Sequence, residues 1–347
     1  MLRVLQSLFL ALAATVFTLF AAELVARMLA PQWAPQHAER SFWRHDELLG
    51  WSHKPGQRGK LRHPDFTVRV AISEQGFRDA VYPVERVEGL RRMLVLGDSF
   101  AWGFGVERDE ILWNRLEARH PGWEIINTAV SGYGTDQQLL FFQERGRAFA
   151  PDVVVLHFHE NDLNDVAADR RYGYPKPHFS LGPEGLVLGN VPVPGLSLPW
   201  RVRRFLRESS YLFNRLQAVE QLLDSAGPRR LHAAGVAPGA APPAPAPTDP
   251  PDSRAVSAAL LARLAQACRD AGAQLVVVSS PAPEEVRVWL ARTLFDLGVP
   301  YAPLDPAFRG RPREAYKFPN DPHWNATGQG IAADAVEEFL VETAILP

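Results

Sequence analysis

The sequence predicts a three-layer α/β/α domain with a mostly parallel sheet, preceded by an N-terminal transmembrane helix. Three observations lead there. From residue 91 onward, short apolar runs alternate with amphipathic stretches, the pattern of strands covered on both faces and joined by crossover helices. Polar, glycine-containing segments follow directly on several of those runs, as they do where strand ends open on a ligand crevice. And the 19 residues from Val4 to Ala22 carry no charge; as a helix they span about 28 Å, nearly a bilayer core.

That apolar run reads as an uncleaved anchor, because it is long for a secretory signal and no small-x-small site closes it before Glu23. A cleaved secretory signal is the alternative. Arg3 precedes the run and Arg27 follows it, so the charge count does not set the orientation. Residues 1–30 are therefore the anchor and 31–90 a lead-in rich in Pro, His, Trp and Arg, with strand-like alternation only around Phe66 to Ile72. Residues 91–347 hold the main domain, and at 46% hydrophobic content the chain has enough apolar surface for a full core. A net charge of -2 with no Lys/Arg run argues against nucleic acid as a partner. Cys268 is the one cysteine, which excludes an intrachain disulfide and a Cys-rich zinc site; it reads as a small buried apolar residue.

Taken in order, strands are expected at Arg92 to Leu96, Trp123 to Asn127 and Asp152 to Phe158, with helices at Glu107 to Arg119 and Asp136 to Phe149. The alternation then breaks. Residues 168–224 form an excursion, irregular and rich in Gly, Pro and aromatics up to 200, then helical from Arg201 to Leu223. Residues 225–252 are dominated by Ala and Pro, a composition too poor in large apolar side chains to order itself, and read as a flexible insert. The core resumes with helix Ser253 to Ala271, strand Gln274 to Ser279, helix Pro283 to Leu297, an extended piece near Tyr301 and a last helix from Ala326 to about Val341.

Four polar segments carry the chemistry. Gly97-Asp98-Ser99 follows the first strand, Ser131-Gly132-Tyr133 the second and His159-Glu160-Asn161-Asp162 the third, while Asn320-Asp321-Pro322-His323-Trp324 leads into the final helix. Ser99, Gly132 and Asn161 thus fall just past strand ends, where topology alone gathers them on one rim. A serine hydroxyl needs a base, for which His323 is the candidate, and the imidazole needs an acid to hold its tautomer, for which Asp321 is nearest. The backbone N–H groups of Ser99 and Gly132 and the amide of Asn161 would face a developing oxyanion. For Gly132 the plainer reading is a turn glycine.

These blocks resemble the GDSL or SGNH hydrolase family, named for a Ser, a Gly, an Asn and a His in separate segments, here Ser99, Gly132, Asn161 and His323. The resemblance covers roughly residues 90–167 and 270–345, with Leu49-Gly50-Trp51 and Gln75-Gly76-Phe77-Arg78-Asp79 resembling the lead-in of membrane-anchored bacterial members. It implies a flavodoxin-like arrangement, no cofactor and an extracytoplasmic catalytic domain. It also implies hydrolysis of a carboxylic ester through a Ser99 acyl-enzyme, with an acylated carbohydrate of the cell surface, bearing O-acetyl groups, as the expected substrate. A carbohydrate O-acyltransferase using the same residues is the nearest alternative, and a non-catalytic module in exopolysaccharide assembly a second. Two departures stand out. The family's acid usually lies three residues before the histidine, where this chain has Asn320; Asp-x-His-Trp resembles alginate O-acetyltransferases instead, although there the motif precedes the serine. And His159 stands where members often carry Gly before Asn-Asp.

Other residues have two readings. Trp102, Tyr133 and Trp324 either line a substrate pocket or pack the sheet rim, while His159 would narrow the pocket or contribute a contact. Arg78 and Asp79 either tie the lead-in to the main domain by a surface salt bridge or have a role at the site. His157, His159, Glu160, Asp162 and Asp165 are metal-ligand types, better explained as strand-end, loop and cap residues, so no metal is expected; a metal-dependent hydrolase is the reading they leave open. Gly103-Phe104-Gly105 lacks the Lys and Ser/Thr of a phosphate loop.

Overall fold

The structure, a computed structural model, describes residues 2–29, 38–216 and 253–347. The insert expected over 225–252 lies outside the described residues, as does the end of the helix expected to reach Leu223. The described residues divide into two compact units, one of 2–29, 38–41, 62–64 and 196–216 and one of 42–61, 65–195 and 253–347.

In the larger unit, β1 (Trp43–Asp46) and β2 (Gly50–His53) pair as an antiparallel hairpin that the sequence did not announce. Every residue of β2 is buried, so no polar alternation marks it. Trp43 and Trp51 stack at 5.2 Å to hold it, and Asp46 accepts from the Leu48 and Leu49 amides at its turn. Gly50 completes that turn at φ +82°, where an added Cβ would stand 2.5 Å from the Pro175 carbonyl. A second two-stranded piece, β3 (Arg58–His63) with β4 (Phe66–Ala71), follows.

The central sheet joins β5 (Arg91–Gly97), β6 (Trp123–Asn127), β7 (Val153–Phe158), β12 (Gln274–Ser279) and β13 (Tyr301–Pro303), all parallel, in the order β13-β12-β7-β5-β6. From the β6 edge this is the 2-1-3-4-5 order of flavodoxin-like sheets. The middles of its strands are apolar because both faces are covered, and the polar residues gather toward their ends. On the helical layers, α3 (Leu112–Arg119) packs with α9 (Ala326–Glu342), and α4 (Thr135–Glu144) with α7 (Ser253–Asp270), while α8 (Glu284–Asp296) lies by β13. The chain steps from β5 to β6 on one side and then to β7 on the other, so the crevice beyond the end of β5 is the switch point. Helix bounds differ modestly from expectation: α3 is preceded by a 3-10 turn at Arg108–Glu110, and α4 gives way to another at Gly146–Phe149.

The excursion after Asp165 is less irregular than its composition suggested. It builds two small hairpins, β8 (Arg170–Arg171) with β9 (Tyr174–Pro175) and β10 (His178–Gly182) with β11 (Gly185–Gly189). Lys176 pins it: the fully buried ammonium donates to the Asp136 carboxylate and to the carbonyls of Asp165 (2.8 Å), Pro177 (2.9 Å) and Ala168 (3.2 Å). Lys176→Met strands the Asp136 carboxylate in the interior and is expected to cost about 3–5 kcal/mol, read from the shift in a denaturant titration.

The smaller unit contains α1 (Leu2–Leu29), none of whose residues is buried and which is long and apolar enough to cross a membrane. It also contains α6 (Leu198–Ser209), where the sequence led us to expect one helix from Arg201 onward. The helix starts earlier and breaks at Ser210, and a new helical stretch runs from 211 to 216. The break is a capped start: Ser210 Oγ accepts from the Phe213 amide, and Glu23 of α1 accepts from the Tyr211 and Leu212 amides at 3.0 Å.

Candidate active site

The turn after β5 is unusually tight. A Cβ on Gly97 would meet the Ala101 Cβ at 2.6 Å and the His157 Cβ at 3.2 Å, so only glycine lets α2 (Ser99–Trp102) fold back on the strand end. Asp98 caps that single turn, accepting from the Phe100 amide at 2.9 Å, and Gly103 closes it at φ +78°.

Arg78 then fixes the loop beyond. Its guanidinium lies 4.5 Å over the Trp102 ring and donates to the carbonyls of Trp102 (3.2 Å), Gly103 (2.6 Å) and Val106 (2.5 Å). Asp79 accepts from the Asn127 amide at 3.0 Å, from Asn114 and from Arg108. Both residues are buried. The lead-in is tied to the main domain by an ion pair, as one reading had it, through Asp79 and Arg108 at 2.7 Å, but the Asp79 carboxylate is buried and not at the surface; Arg78 and Asp79 are interior braces beneath Ser99 and β6.

His323 reaches the same rim from the loop before α9. Its Nε2 stands 2.7 Å from Ser99 Oγ, and its Nδ1 stands 2.5 Å from Asp321 Oδ1, which also accepts the His323 amide at 2.8 Å. The consistent tautomer carries the proton on Nδ1, leaving Nε2 to accept from the hydroxyl. Asn320 points elsewhere, bonding Asp65 through both its amide and its side chain. Phe104 and Phe100 flank the imidazole at 4.5 and 4.9 Å. Gln329, one turn into α9, donates to the Phe100 carbonyl (3.2 Å) and accepts from the Leu112 amide (3.0 Å), which locks this helix against the serine turn. No motif in the sequence singled out Gln329 or the bracing role of Arg78.

Gly132 and Asn161 follow the strands on either side of β5, where Val95 is level with Asn127 and Gly97 with His157. Gly132 has φ +82°, and a Cβ there would lie 2.8 Å from the Tyr172 ring, so the left-handed turn and the approach of the β8–β9 hairpin both call for glycine. Asn161 is held at both ends of its amide. Its oxygen accepts from His159 Nδ1, and its nitrogen donates to Asp165 at 2.9 Å, while Asp165 also pairs with Arg171 at 2.8 Å. His159 stacks on Phe100 at 4.3 Å, and burial pulls its pKa down to about 4, so the ring is neutral near pH 7 and keeps a proton for Asn161.

For three residues the packing reading holds and the pocket-lining one is corrected. Trp102, Tyr133 and Trp324 are 1%, 2% and 0% exposed and present no surface to a substrate. Trp102 stacks on His53, the Tyr133 hydroxyl donates to the Trp51 carbonyl, and Trp324 lies between His157 and Phe308. The residues weighed as metal ligands also have other partners: His157 bonds Ser280 at 3.0 Å and Asp162 accepts from the His159 amide. Among the described residues no three His, Cys, Asp or Glu side chains are grouped to hold a metal ion.

Beneath the site lie two buried acids. Burial raises Asp162 well above its ordinary range, and the neighbouring Asp98 charge adds to this; burial pushes Asp98 to about 6, against the hydrogen bond from Phe100. Unfolded, both would release protons near pH ~4. As pH rises from there through about 6, the folded chain holds protons that the unfolded chain has lost, so this pair's contribution to stability falls. Asp162→Asn is expected to shrink that loss, seen as a smaller drop in Tm between pH 4.5 and pH 7 than in the parent protein.

With the geometry in place, comparison with known proteins is informative. Residues 95–331 match the GDSL-like lipase/acylhydrolase family. No curated protein matched. Among solved structures, an acetyl-xylooligosaccharide esterase from Geobacillus is 13% identical with a TM-score of 0.40, over 72% of this chain and 94% of its own. The psychrotrophic esterase EstA from Pseudoalteromonas sp. is 12% identical at 0.40, over 73% and 98%. A GDSL-like lipase from Bacteroides thetaiotaomicron is 12% identical at 0.39, over 74% and 91%. Likenesses this distant carry no argument about substrate or mechanism. The family match spans well over half the chain and takes in the serine turn, both flanking strand ends and the histidine loop, so this chain belongs to the GDSL-like lipase/acylhydrolase family and is a hydrolase of ester bonds.

Proposed function

We propose that Ser99 is the nucleophile of a carboxylic-ester hydrolase working through an acyl-enzyme. The observation that carries this reading is the unbroken line from Ser99 Oγ through the His323 ring to Asp321. As Oγ bonds to the ester carbon, its proton passes to His323 Nε2 and the carbonyl oxygen takes up the negative charge. Asp321 stabilises the imidazolium and keeps the ring in register. The oxyanion is received by the Ser99 and Gly132 N–H groups and by the second N–H of Asn161, whose first is spent on Asp165. Collapse expels the alcohol, which takes the proton from His323. Water then enters by the same route in reverse and releases the carboxylic acid.

We assign this site a short acyl group. Tyr172 stands against Gly132, and the aromatics that would line a longer channel are packed in the core. An O-acetyl group on cell-surface carbohydrate suits such a site on an enzyme tethered by α1 with its catalytic domain outside the cytoplasm. Asn161→Ala removes one of three donors and is expected to lower kcat for a chromogenic acetyl ester by about 10²–10³ with little change in KM. An undiminished kcat would remove Asn161 from the mechanism. Asp165→Asn, which loosens the same amide without touching substrate, should give a smaller loss in kcat.

A further inference from the structure

We propose that α6 is a second membrane contact, an interfacial helix lying on anionic lipid headgroups beside the point where α1 leaves the bilayer. The proposal rests on the reading of α1 as a membrane anchor.

Leu198, Val202, Phe205 and Leu206 recur at the spacing of one helical face. That face is open: Leu198, Val202 and Phe205 are 71%, 51% and 66% exposed. By helical spacing Arg203 and Arg207 fall on the other side, Arg203 lying 5.9 Å over the Trp200 ring, and the helix carries four arginines against one glutamate. At twelve residues it is about 18 Å long, too short to span a bilayer. An apolar stripe backed by arginines is the pattern of a helix lying in the headgroup plane.

Its position identifies the occupant. From Leu2 to Glu23, α1 rises about 32 Å, the thickness of a hydrocarbon core, so Glu23 and Arg27 arrive at headgroup level. Both side chains hold the end of α6. Arg27 pairs with Glu23 at 2.8 Å, donates to the Ser209 carbonyl at 2.9 Å and sits 5.3 Å over the Tyr211 ring. Glu23 accepts from the Ser210 hydroxyl at 2.7 Å and from the next two amides. The C-terminal end of α6 is therefore tied to the level at which α1 exits. A cationic helix with an uncovered apolar face, held there, meets phosphate-bearing headgroups first.

The test uses the full chain, with Cys268→Ala to remove the native thiol, reconstituted in phosphatidylcholine vesicles with and without phosphatidylglycerol. Nitroxide labels are placed singly at Phe205→Cys, Arg203→Cys and Leu12→Cys, and their collisions with oxygen and with a water-soluble nickel chelate are measured. With phosphatidylglycerol present, the oxygen preference at Phe205 should approach that at Leu12 and exceed that at Arg203 by about threefold or more, and the contrast should shrink without the anionic lipid. Val202→Cys should repeat the Phe205 result if that label disturbs the helix. A lipid-like Leu12 with a water-exposed Phe205 overturns the proposal and leaves the anchor intact. A water-exposed Leu12 overturns the anchor and this proposal with it. Phe205 shielded from both reagents, with broadening between labels on two chains, would show a second copy covering the face and overturn the lipid assignment.

Discussion

Ser99→Ala is expected to lower kcat on a chromogenic acetyl ester by about 10⁶ while the protein folds normally. The hydroxyl is small and, among the described residues, bonds His323 alone, so alanine costs the fold little, yet in the proposed mechanism no acyl-enzyme forms without it. His323→Ala should cost about as much, and the double variant should cost no more than either alone, because in the proposed mechanism the two groups act in one proton transfer. Activity of Ser99→Ala within tenfold of the parent would leave some other group as the nucleophile.

The second large effect separates Asp321 from Asn320, which stands where the family usually places its acid. Asp321→Asn should lower kcat by about 10⁴, since an amide neither balances the imidazolium nor fixes the productive tautomer. Asn320→Ala, at the position where the family usually places its acid, should change kcat by no more than a few-fold, because Asn320 is bonded to Asp65 and faces away from the ring. Asn320→Asp should not rescue Asp321→Asn, for the new carboxylate would meet Asp65 instead of His323. The two single variants assayed side by side with the same ester check this directly, and rescue would show that the loop re-forms around position 320.

What the sequence made legible was decided by period and by strand ends. The apolar runs at Met93 to Leu96, Val153 to Phe158 and Leu275 to Val278 could hardly be anything but doubly covered strands, and from there the rim holding Ser99, Gly132 and Asn161 follows from topology. The β1–β2 hairpin escaped because a strand buried on both faces and only four residues long has no alternation to detect. Trp102 kept two readings open for a different reason. An aromatic three residues after the serine looks like pocket lining until the single turn of α2 is seen to swing it inward, under Arg78. Arg78 itself sits in a segment whose hydrogen bonds go to carbonyls about 25 residues onward, and no local pattern encodes such partners. The break at Ser210 was equally hidden, because the group that caps the new helix is Glu23, far back in α1.

The most direct test of the central claim is mass-spectrometric location of a fluorophosphonate adduct on the full chain. A hydroxyl activated by His323 and Asp321 should carry the phosphonyl group on the peptide containing Ser99, near stoichiometrically, and lose it in His323→Ala. A folded protein that leaves Ser99 unlabelled, or takes the probe at another residue, would contradict the account.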